Sequence, residues 1–147
     1  PLTTLGNRYA MKRYIEQVDH TEPIGVVYCD ITGLKRINDS EGHSTGDRLI
    51  CRCCDCLKRV FEGNGMFRIG GDELVVLCTG ISEKEFYQKV EELKTELAAH
   101  DVSMAVGAAV NTLEAVGKDH LLTESERRMY QDKAEYYRST GLDRRKI

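Results

Sequence analysis

The chain has 147 residues, of which 41% are hydrophobic and 31% charged, a balance that suits one domain with one sizeable core. Its net charge of −3 gives no basic footprint for nucleic acid. No apolar run approaches the roughly 20 residues of a membrane span, and the amino terminus does not resemble a signal peptide, so we expect no direct contact with a membrane.

Hydrophobic periodicity predicts strands that alternate with helices along the chain. Ser82 with Glu85, and Thr123 with Glu126, have the spacing of capping boxes, which mark helix starts. Strands interleaved with helices, including one hairpin, indicate an α/β sandwich with a mixed central sheet flanked by helices. The predicted elements are a helix at 7–18, a strand at 24–31, a turn and short helix at 32–39, a helix at 46–61, a hairpin at 66–78, a helix at 82–98, a strand at 102–110 and, after a loop, a helix at 123–138.

A single aspartate stands at the end of the first predicted strand. Residues 24–31 form a nearly continuous apolar run, typical of a buried strand, with Asp30 at its carboxyl end. Ligands collect beyond the carboxyl ends of central strands in sheets with helical cover, and a carboxylate there suits a hard cation. The other interpretation is a buried aspartate that caps a neighbouring turn, because an unpaired buried carboxylate is costly.

Six cysteines, four of them within residues 51–56, raise the question of a metal site. The run 47–61 has apolar residues at helical spacing, and cysteines so close together on one helix spread around it instead of converging on one zinc ion. We therefore expect Cys29, Cys53 and Cys78 to be small buried apolar residues. The others should be partly exposed thiols, kept reduced in the cytoplasm.

A glycine pair followed by two carboxylates joins two extended apolar runs, 66–69 and 74–78. Glycine can take the positive φ angles of tight turns, so Gly70 and Gly71 predict a hairpin turn that leaves room for a ligand. Asp72 and Glu73 point to opposite sides of an extended chain, so we expect them to have different roles. An ordinary solvated turn is the alternative interpretation.

Two of these acidic positions suggest a shared cation. If Asp30 and Asp72 lie on adjacent strands, their carboxylates can share Mg²⁺, with the Ile31 carbonyl as a further oxygen ligand.

The hairpin is one of six short motifs that occur in the same order in a known family. They read PLTTLGNRYAM at 1–11, DITGLKRIND at 30–39, GHSTGD at 42–47, GGDEL at 70–74, VSMAVGAAV at 102–110 and MYQDK at 129–133. These stretches resemble the DxLTGLxNR, DxDxFKxxND, GHxxGD, GGDEF, SxG and MYxxK motifs of the GGDEF domain family of diguanylate cyclases. The resemblance covers nearly the whole chain and implies a ferredoxin-like fold related to the polymerase palm.

The resemblance implies that two GTP molecules condense into cyclic di-GMP, a bacterial second messenger, and release two pyrophosphates. The 3′-hydroxyl of each GTP attacks the α-phosphorus of the other. Two Mg²⁺ or Mn²⁺ ions would neutralise charge on the attacking and leaving oxygens, held by Asp30, the Ile31 carbonyl and Asp72. Glu73 would either help to hold the second ion or deprotonate the 3′-hydroxyl.

The resemblance also implies which residues bind the phosphates of GTP. Backbone N–H groups of Gly33, Leu34 and Lys35 form a nest at a helix start that suits anions. Lys133 would reach the same phosphates from the last helix; without the resemblance it would be interpreted as a solvated helix lysine.

Guanine recognition is implied for Asn38 and Asp47, which stand where the family places its base-reading pair. Asp47 would accept hydrogen bonds from guanine N1–H and N2–H₂. Its alternative role is the N-terminal charge of a helix. We expect His43 to be a structural turn residue.

Several positions depart from the family pattern. Tyr137 replaces an arginine that contacts phosphate, and Arg138 is the candidate substitute. Phe61 and Asn64 replace the arginine and aspartate of the inhibitory RxxD product site, so we expect no such site. The remaining departures are Thr4 for glycine, Thr32 for the second aspartate, Gly33 at the phosphate turn, Leu74 for phenylalanine and Glu126 for aspartate.

We expect residues 1–147 to form a single GGDEF domain, excised from a larger cytoplasmic signalling protein, with any membrane sensor outside this chain. One domain presents one GTP site, so catalysis would require a second copy in an antiparallel homodimer. Two other hypotheses stay open: a weak or inactive module that binds GTP and regulates a neighbouring domain, and a related palm-type nucleotidyl cyclase with another base preference.

Overall fold

The computed structural model describes residues 5–140, with the side chain of Thr140 excepted, and contains a four-stranded sheet between two layers of helices. The departure at Thr4 lies outside the described residues. Within residues 5–140, no helix is both long enough and apolar enough to span a bilayer. The elements are α1 (Arg8–Gln17), β1 (Pro23–Ile31), α2 (Leu34–Glu41), α3 (His43–Val60), β2 (Gly65–Arg68), β3 (Glu73–Thr79), α4 (Glu83–Ala99), β4 (Met104–Thr112), α5 (Leu113–Val116) and α6 (Lys118–Thr140).

The four strands lie in the order β2-β3-β1-β4, and every described strand pairing is antiparallel. The connection from β1 through α2 and α3 to β2 leaves a gap one strand wide, and β3 returns from the hairpin into that gap. A strand that returns through a hairpin runs antiparallel to its neighbour, which explains why the sheet is antiparallel where we predicted a mixed one. The α/β class and the ferredoxin-like arrangement are confirmed.

The segment before α1 extends the free edge of β2. Gly6 forms an isolated parallel bridge with Phe67. The Gly6 N–H donates to Met66 O at 3.1 Å, and Gly6 O accepts from Arg68 N at 2.8 Å. A Cβ on Gly6 would lie 2.9 Å from Phe67 Cδ1, so this close approach requires glycine.

The central strand β1 is buried on both faces. Val27 and Cys29 pack with α2, α3 and α4, whereas Val26 and Tyr28 pack with α1 and α6. This alternation follows the two-residue period of a strand. Burial on both sides explains why the sequence of β1 is almost continuously apolar. Asp30 interrupts the run and is only 6% exposed.

Helix α6 lies directly against the edge strand β4. A Cβ on Gly107 would fall 2.2 Å from both Ser125 O and Met129 N, which are backbone atoms of α6. The backbones of strand and helix therefore touch at this point, and the missing side chain at Gly107 sets how closely α6 approaches the sheet.

Polar side chains of α6 bond the open edge of β4. Arg128 donates to Ala108 O at 2.6 Å, and Asp132 accepts from Val106 N at 2.8 Å. These bonds satisfy backbone groups that an edge strand would otherwise leave open to another chain. The long helix is thereby fixed along β4.

The predicted helix start at Ser82 is confirmed. Ser82 is the N-cap of α4, and its Oγ accepts from Glu85 N at 3.1 Å. Helix α3 begins at His43, three residues earlier than predicted, because Gly42 with φ 89° ends α2 and starts α3 without an intervening loop.

The predicted helix start at Thr123 is wrong, because α6 begins at Lys118 and Thr123 lies inside it. The predicted loop before it contains α5, whose N-cap Thr112 accepts from Ala115 N at 3.1 Å. Gly117, with φ 79°, then separates α5 from α6. The apparent capping box at Thr123 is therefore coincidental spacing within a helix.

Burial of the cysteines is more complete than predicted. Cys29, Cys53 and Cys78 are buried, as expected, but Cys54 and Cys56 are buried as well, and Cys51 is half-buried. The reason is that α3 packs against α2 on one side and α4 on the other, and its buried side chains share one core with residues of the sheet. More of its circumference is covered than the sequence pattern indicates.

Candidate active site

The connection between β2 and β3 forms a tight turn at residues 69–72. Ile69 N donates to Glu73 O at 3.0 Å, and the Arg68 guanidinium donates to Gly71 O at 2.8 Å. Neither Gly70 nor Gly71 has a positive φ, so the predicted conformational reason for this glycine pair is wrong. A Cβ on Gly71 would have no described heavy atom within 4 Å. The tip of the hairpin therefore borders open space, which fits the prediction of room for a ligand.

The structure brings Asp30 and Asp72 together. Glu73, which follows Asp72, pairs with Asp30 across β1 and β3, and Ile31 N donates to Asp72 O at 2.8 Å. Burial first, and the charge of Asp72 second, raise the pKa of Asp30 to about 6, against the opposing charge of Lys133. Two neighbouring carboxylates with the Ile31 backbone beside them are a set of hard oxygen donors, which fits Mg²⁺ or Mn²⁺.

Lys133 reaches this carboxylate pair from α6. Its Nζ lies 3.3 Å from Asp30 Oδ2, and its side chain is 26% exposed. The interpretation of Lys133 as a solvated helix lysine is therefore wrong. A cation beside Asp30 offsets part of the repulsion between the two carboxylates.

Tyr28 contacts both Glu73 and Glu126, a grouping that the sequence did not suggest to us. The Tyr28 hydroxyl lies 3.3 Å from Glu73 Oε2 and 3.1 Å from Glu126 Oε2. Burial, followed by the charge of Glu73, raises the pKa of Tyr28, and burial also raises the pKa of Glu73. The available signal was spacing, because Tyr28 precedes Asp30 by two residues and so lies on the same face of β1.

The two carboxylates at the start of β3 have different neighbours, as predicted. Asp72 acts electrostatically on Asp30, whereas Glu73 contacts Tyr28. A cavity of about 200 Å³ adjoins Glu73 on the side of α1 and α6, lined in part by Arg8, Thr123 and Glu126.

The turn between β1 and α2 contains a left-handed glycine, one of the features of backbone anion sites. Gly33 takes the left-handed conformation, φ 73° and ψ 14°, which only glycine adopts at little cost. Among the described residues, no side chain caps α2, so the N–H groups of Leu34 and Lys35 have no partner from a cap. Thr32 N instead donates to Ser103 O at 3.0 Å, so it is not available to a ligand in the way that the N–H groups of Leu34 and Lys35 are.

Asn38 and Asp47 form a second group, where α2 crosses α3. A Cβ on Gly46 would lie 1.7 Å from Asn38 Oδ1, so the Asn38 amide rests on the bare backbone beside Asp47. Asp47 is exposed and lies in the second turn of α3, which begins at His43. Helix-dipole effects are confined to the first turn, so the alternative role of Asp47 as an N-terminal helix charge is not supported.

The positions that replace family phosphate and product contacts have structural roles. Tyr137 is buried, and Arg138 pairs with Glu135 of its own helix at 2.8 Å, which directs it away from Lys133. Phe61 is fully buried, and Asn64 Nδ2 donates to Phe61 O at 3.2 Å. Neither residue offers a guanidinium or a carboxylate to a ligand.

Comparison with known proteins gives a consistent assignment. The family model described as "Diguanylate cyclase, GGDEF domain" matches residues 1–138. Diguanylate cyclase DosC of Escherichia coli strain K12 is 33% identical over 125 residues, which cover 74% of this chain and 27% of that protein. The match thus spans about a quarter of the length of that relative.

Two solved structures share the fold. The GGDEF domain of DgcB from Caulobacter crescentus, in complex with c-di-GMP, has a TM-score of 0.80 at 22% identity, covering 92% of this chain and 89% of that one. The GGDEF domain of FimX from Pseudomonas aeruginosa has a TM-score of 0.83 at 16% identity, covering 92% and 93%. The hairpin, the carboxylate pair and the family match over residues 1–138 agree, and the chain belongs to the GGDEF domain family of diguanylate cyclases.

Proposed function

We propose that this chain is a catalytic diguanylate cyclase domain, which joins two GTP molecules into cyclic di-GMP and releases two pyrophosphates. The observation that carries the proposal is the meeting of Asp30 and Asp72 where β1 ends and β3 begins, beside the Ile31 backbone. Asp30 is buried and Asp72 is half-buried, so their two negative charges repel each other, and Lys133 offsets only part of this repulsion. Such a pair is a costly arrangement for a site without a function.

Asp30, Asp72 and the Ile31 carbonyl would hold the divalent ions, Mg²⁺ or Mn²⁺, and Glu73 would either assist at the second of two ions or accept a proton. The bound ions would supply charge neutralisation at the attacking and leaving oxygens of the phosphoryl group. The residues of the chain would then orient the two reacting groups and accept the proton of the 3′-hydroxyl.

Glu73 is our candidate for that proton acceptor. Burial raises its pKa, which brings a carboxylate closer to the range that suits a general base near neutral pH. The N–H groups of Leu34 and Lys35, after the left-handed Gly33, would bind the β- and γ-phosphates. Lys133 would add a positive charge to the same phosphates.

Guanine would bind between α2 and α3. The Asp47 carboxylate accepts from N1–H and N2–H₂ of guanine, whereas adenine presents no such pair of donors on this edge. Asn38 would bond the purine edge from its position over Gly46. One chain supplies one such site, so the product, which has two phosphodiester bonds, requires a second copy placed antiparallel.

Product analysis after incubation with GTP and Mg²⁺, over a range of protein concentrations, tests the proposal. We expect cyclic di-GMP from the unaltered chain, a rate per chain that rises with protein concentration, and no product from Asp72→Asn. Asp55→Asn, an exposed carboxylate on α3, is the matched control and should retain the activity. Cyclic di-GMP from Asp72→Asn at the control rate would overturn the metal-site assignment.

A second candidate function is a weak module that binds GTP and regulates a neighbouring domain. It is favoured by the buried Tyr137 and the outward Arg138, which remove one phosphate contact that the family uses. A parallel coiled coil fused ahead of the chain would raise the effective concentration of the second domain to about the millimolar range. A fusion that binds GTP in a calorimetric titration but forms no product would establish this second function.

A further inference from the structure

Three metal-binding side chains converge between α3 and α4, on the opposite side of the sheet from α6. The Cys56 thiol, one carboxylate oxygen of Glu96 and one ring nitrogen of His100 all lie within 4.8 Å of one another. Cys56 belongs to α3, Glu96 to the last turn of α4, and His100 is the C-cap of α4. None of these residues takes part in the carboxylate site at the hairpin.

The positions of the three residues follow from helix geometry. Residues four apart lie on the same face of a helix, so Glu96 and His100 both point from α4 toward α3. Glu96 Oε1 and His100 Nδ1 are 3.5 Å apart, and the same ring nitrogen lies 3.1 Å from the backbone oxygen of Glu96, a contact that an ion bound through Nδ1 would replace. Arg52 of α3 donates to the His100 carbonyl, which ties the end of α4 to α3. Two ligands on one helix and a third on its neighbour form a cross-helix site.

The exposure of the three side chains decreases toward α3. His100 is 44% exposed in its side chain, Glu96 is 25% exposed, and Cys56 is fully buried. An ion can therefore approach from the imidazole side and reach the sulfur last. The site is therefore open to solvent at His100 and shielded from water at Cys56. Electrostatic attraction between an ion and its ligands is stronger where water is excluded.

A cation of the chain itself already contacts this cluster. The Arg59 guanidinium pairs with Glu96 through Nε and donates to Cys56 Sγ at 3.5 Å through Nη2. The side chain of Arg59 is 46% exposed, so it can move into solvent without disturbing the core. Cys56 and Glu96 thus already contact a positively charged group. A metal ion could take the place of this group, because the Arg59 guanidinium is free to move into solvent.

We propose that Cys56, Glu96 and His100 bind a divalent transition-metal ion, and that Arg59 must leave the site when the ion enters. One sulfur, one nitrogen and one oxygen donor match Zn²⁺, with a water in the fourth position, whereas Mg²⁺ requires oxygen donors. Binding releases the thiol proton of Cys56 to solvent, so that the sulfur coordinates as a thiolate. The ion would link α3 to the end of α4 and stabilise the folded chain.

Titration of the reduced, metal-free chain with Co²⁺ tests the site directly, because thiolate coordination gives a charge-transfer absorption that carboxylate coordination at the hairpin does not. We expect this absorption to appear, to be displaced by Zn²⁺ and to be unaffected by a large excess of Mg²⁺. The melting temperature should rise with Zn²⁺ concentration. A folded chain that shows no such absorption would overturn the proposal.

Four variants locate the site. Cys56→Ser should abolish the absorption, and His100→Gln should weaken Co²⁺ binding by more than the roughly 10- to 100-fold typical of outer partners. His100 is exposed, so this variant stays informative if Cys56→Ser fails to fold. Cys51→Ser, on the same helix but outside the cluster, is the matched control and should bind as the unaltered chain does.

Arg59→Gln gives the sharpest test, because this variant should bind Co²⁺ more tightly than the unaltered chain, whereas damage to the fold would weaken binding. Removing the competing guanidinium should tighten Co²⁺ binding by about 2- to 5-fold, the range expected for an exposed ion pair that no longer has to break. Weaker binding in Arg59→Gln, or an absorption that persists unchanged in His100→Gln, would contradict the proposed ligand set.

Discussion

Lys133 Nζ lies 3.3 Å from Asp30 Oδ2, so a cation of α6 and a carboxylate of β1 meet at the carboxylate pair beside the hairpin. This ion pair does not hold the pKa of Asp30 at the ordinary value of an aspartate. Its pKa is raised to about 6, because burial and the charge of Asp72 together outweigh the attraction of Lys133. The folded chain therefore holds the ionised form of Asp30 at a cost.

That cost predicts a pH dependence of stability. An aspartate in an unfolded chain has a pKa of 3.8, so between about pH 4 and pH 6 the folded state keeps a proton that the unfolded state has lost. The free energy of unfolding should fall as pH rises through this window, by at most about 3 kcal/mol, because a hundredfold difference in proton affinity corresponds to roughly that free energy. Denaturant unfolding in EDTA at pH 4–8 measures the effect.

Asp30→Asn is the comparison that isolates this carboxyl group. The free energy of unfolding of the variant should not fall between pH 4 and pH 6, and at pH 7 it should exceed that of the unaltered chain. The variant should form no cyclic di-GMP. Mg²⁺ should stabilise the unaltered chain above pH 6 and leave the variant unchanged. Parallel stability curves for the two proteins would show that Asp30 is not the titrating group.

Tyr28→Phe should lower kcat and leave the affinity for GTP unchanged. The hydroxyl bonds Glu73, and this bond lowers the pKa of Glu73, so its loss should move the acid limb of the pH-rate profile to higher pH. Stability should fall by about 1 kcal/mol. Tyr9→Phe, an exposed tyrosine of α1, is the control. An unchanged acid limb would mean that Tyr28 does not act through Glu73.

Gly46→Ala should weaken GTP binding more than ATP binding. The added Cβ would lie 1.7 Å from Asn38 Oδ1, so the amide must leave the position from which we propose that it binds guanine. Losing its hydrogen bonds should cost GTP about 2- to 10-fold in affinity, measured by calorimetric titration of both nucleotides. Ser44→Ala, an exposed neighbour, should have no effect. Equal losses for both nucleotides would argue against base recognition by Asn38.

Gly107→Ala should destabilise the fold by about 1–3 kcal/mol or more, since the new Cβ would lie 2.2 Å from backbone atoms of α6 that cannot rotate away. The melting temperature should fall by several degrees. Gly71→Ala, which meets open space, should melt as the unaltered chain does. A melting temperature unchanged by Gly107→Ala would show that α6 can move away from β4 at little cost.

Local signals in the sequence predicted the parts of the molecule that depend on local chemistry. Ser82 caps α4 as its spacing indicates, and Asp30 ends a strand as the apolar run before it indicates. The adjacency of Asp30 and Asp72 followed from one assumption, that β1 and β3 are neighbours, and the register of the sheet bears it out.

The features that the sequence did not reveal depend on contacts between distant segments. The bond from Tyr28 to Glu126 spans 98 residues, and it exists because α6 crosses the same face of β1. The helix start predicted at Thr123 was wrong because the spacing of Thr123 and Glu126 does not show whether a helix has begun at an earlier residue. The cysteines of α3 point in different directions around that helix, so the sequence predicted no metal site there. Glu96 and His100, which lie beside Cys56, come from α4 and its C-cap.

The two hydrogen bonds between Gly6 and β2 give the chain ahead of α1 a mechanical connection to the hairpin. Met66 and Arg68, which make these bonds, precede the glycine turn by only a few residues, and Arg8 adds a bond of 3.4 Å to Ile69 O. The segment that precedes α1 is therefore bonded to β2, the strand that leads directly into the turn before Asp72. The orientation of the hairpin is thereby tied to the position of the segment that precedes α1.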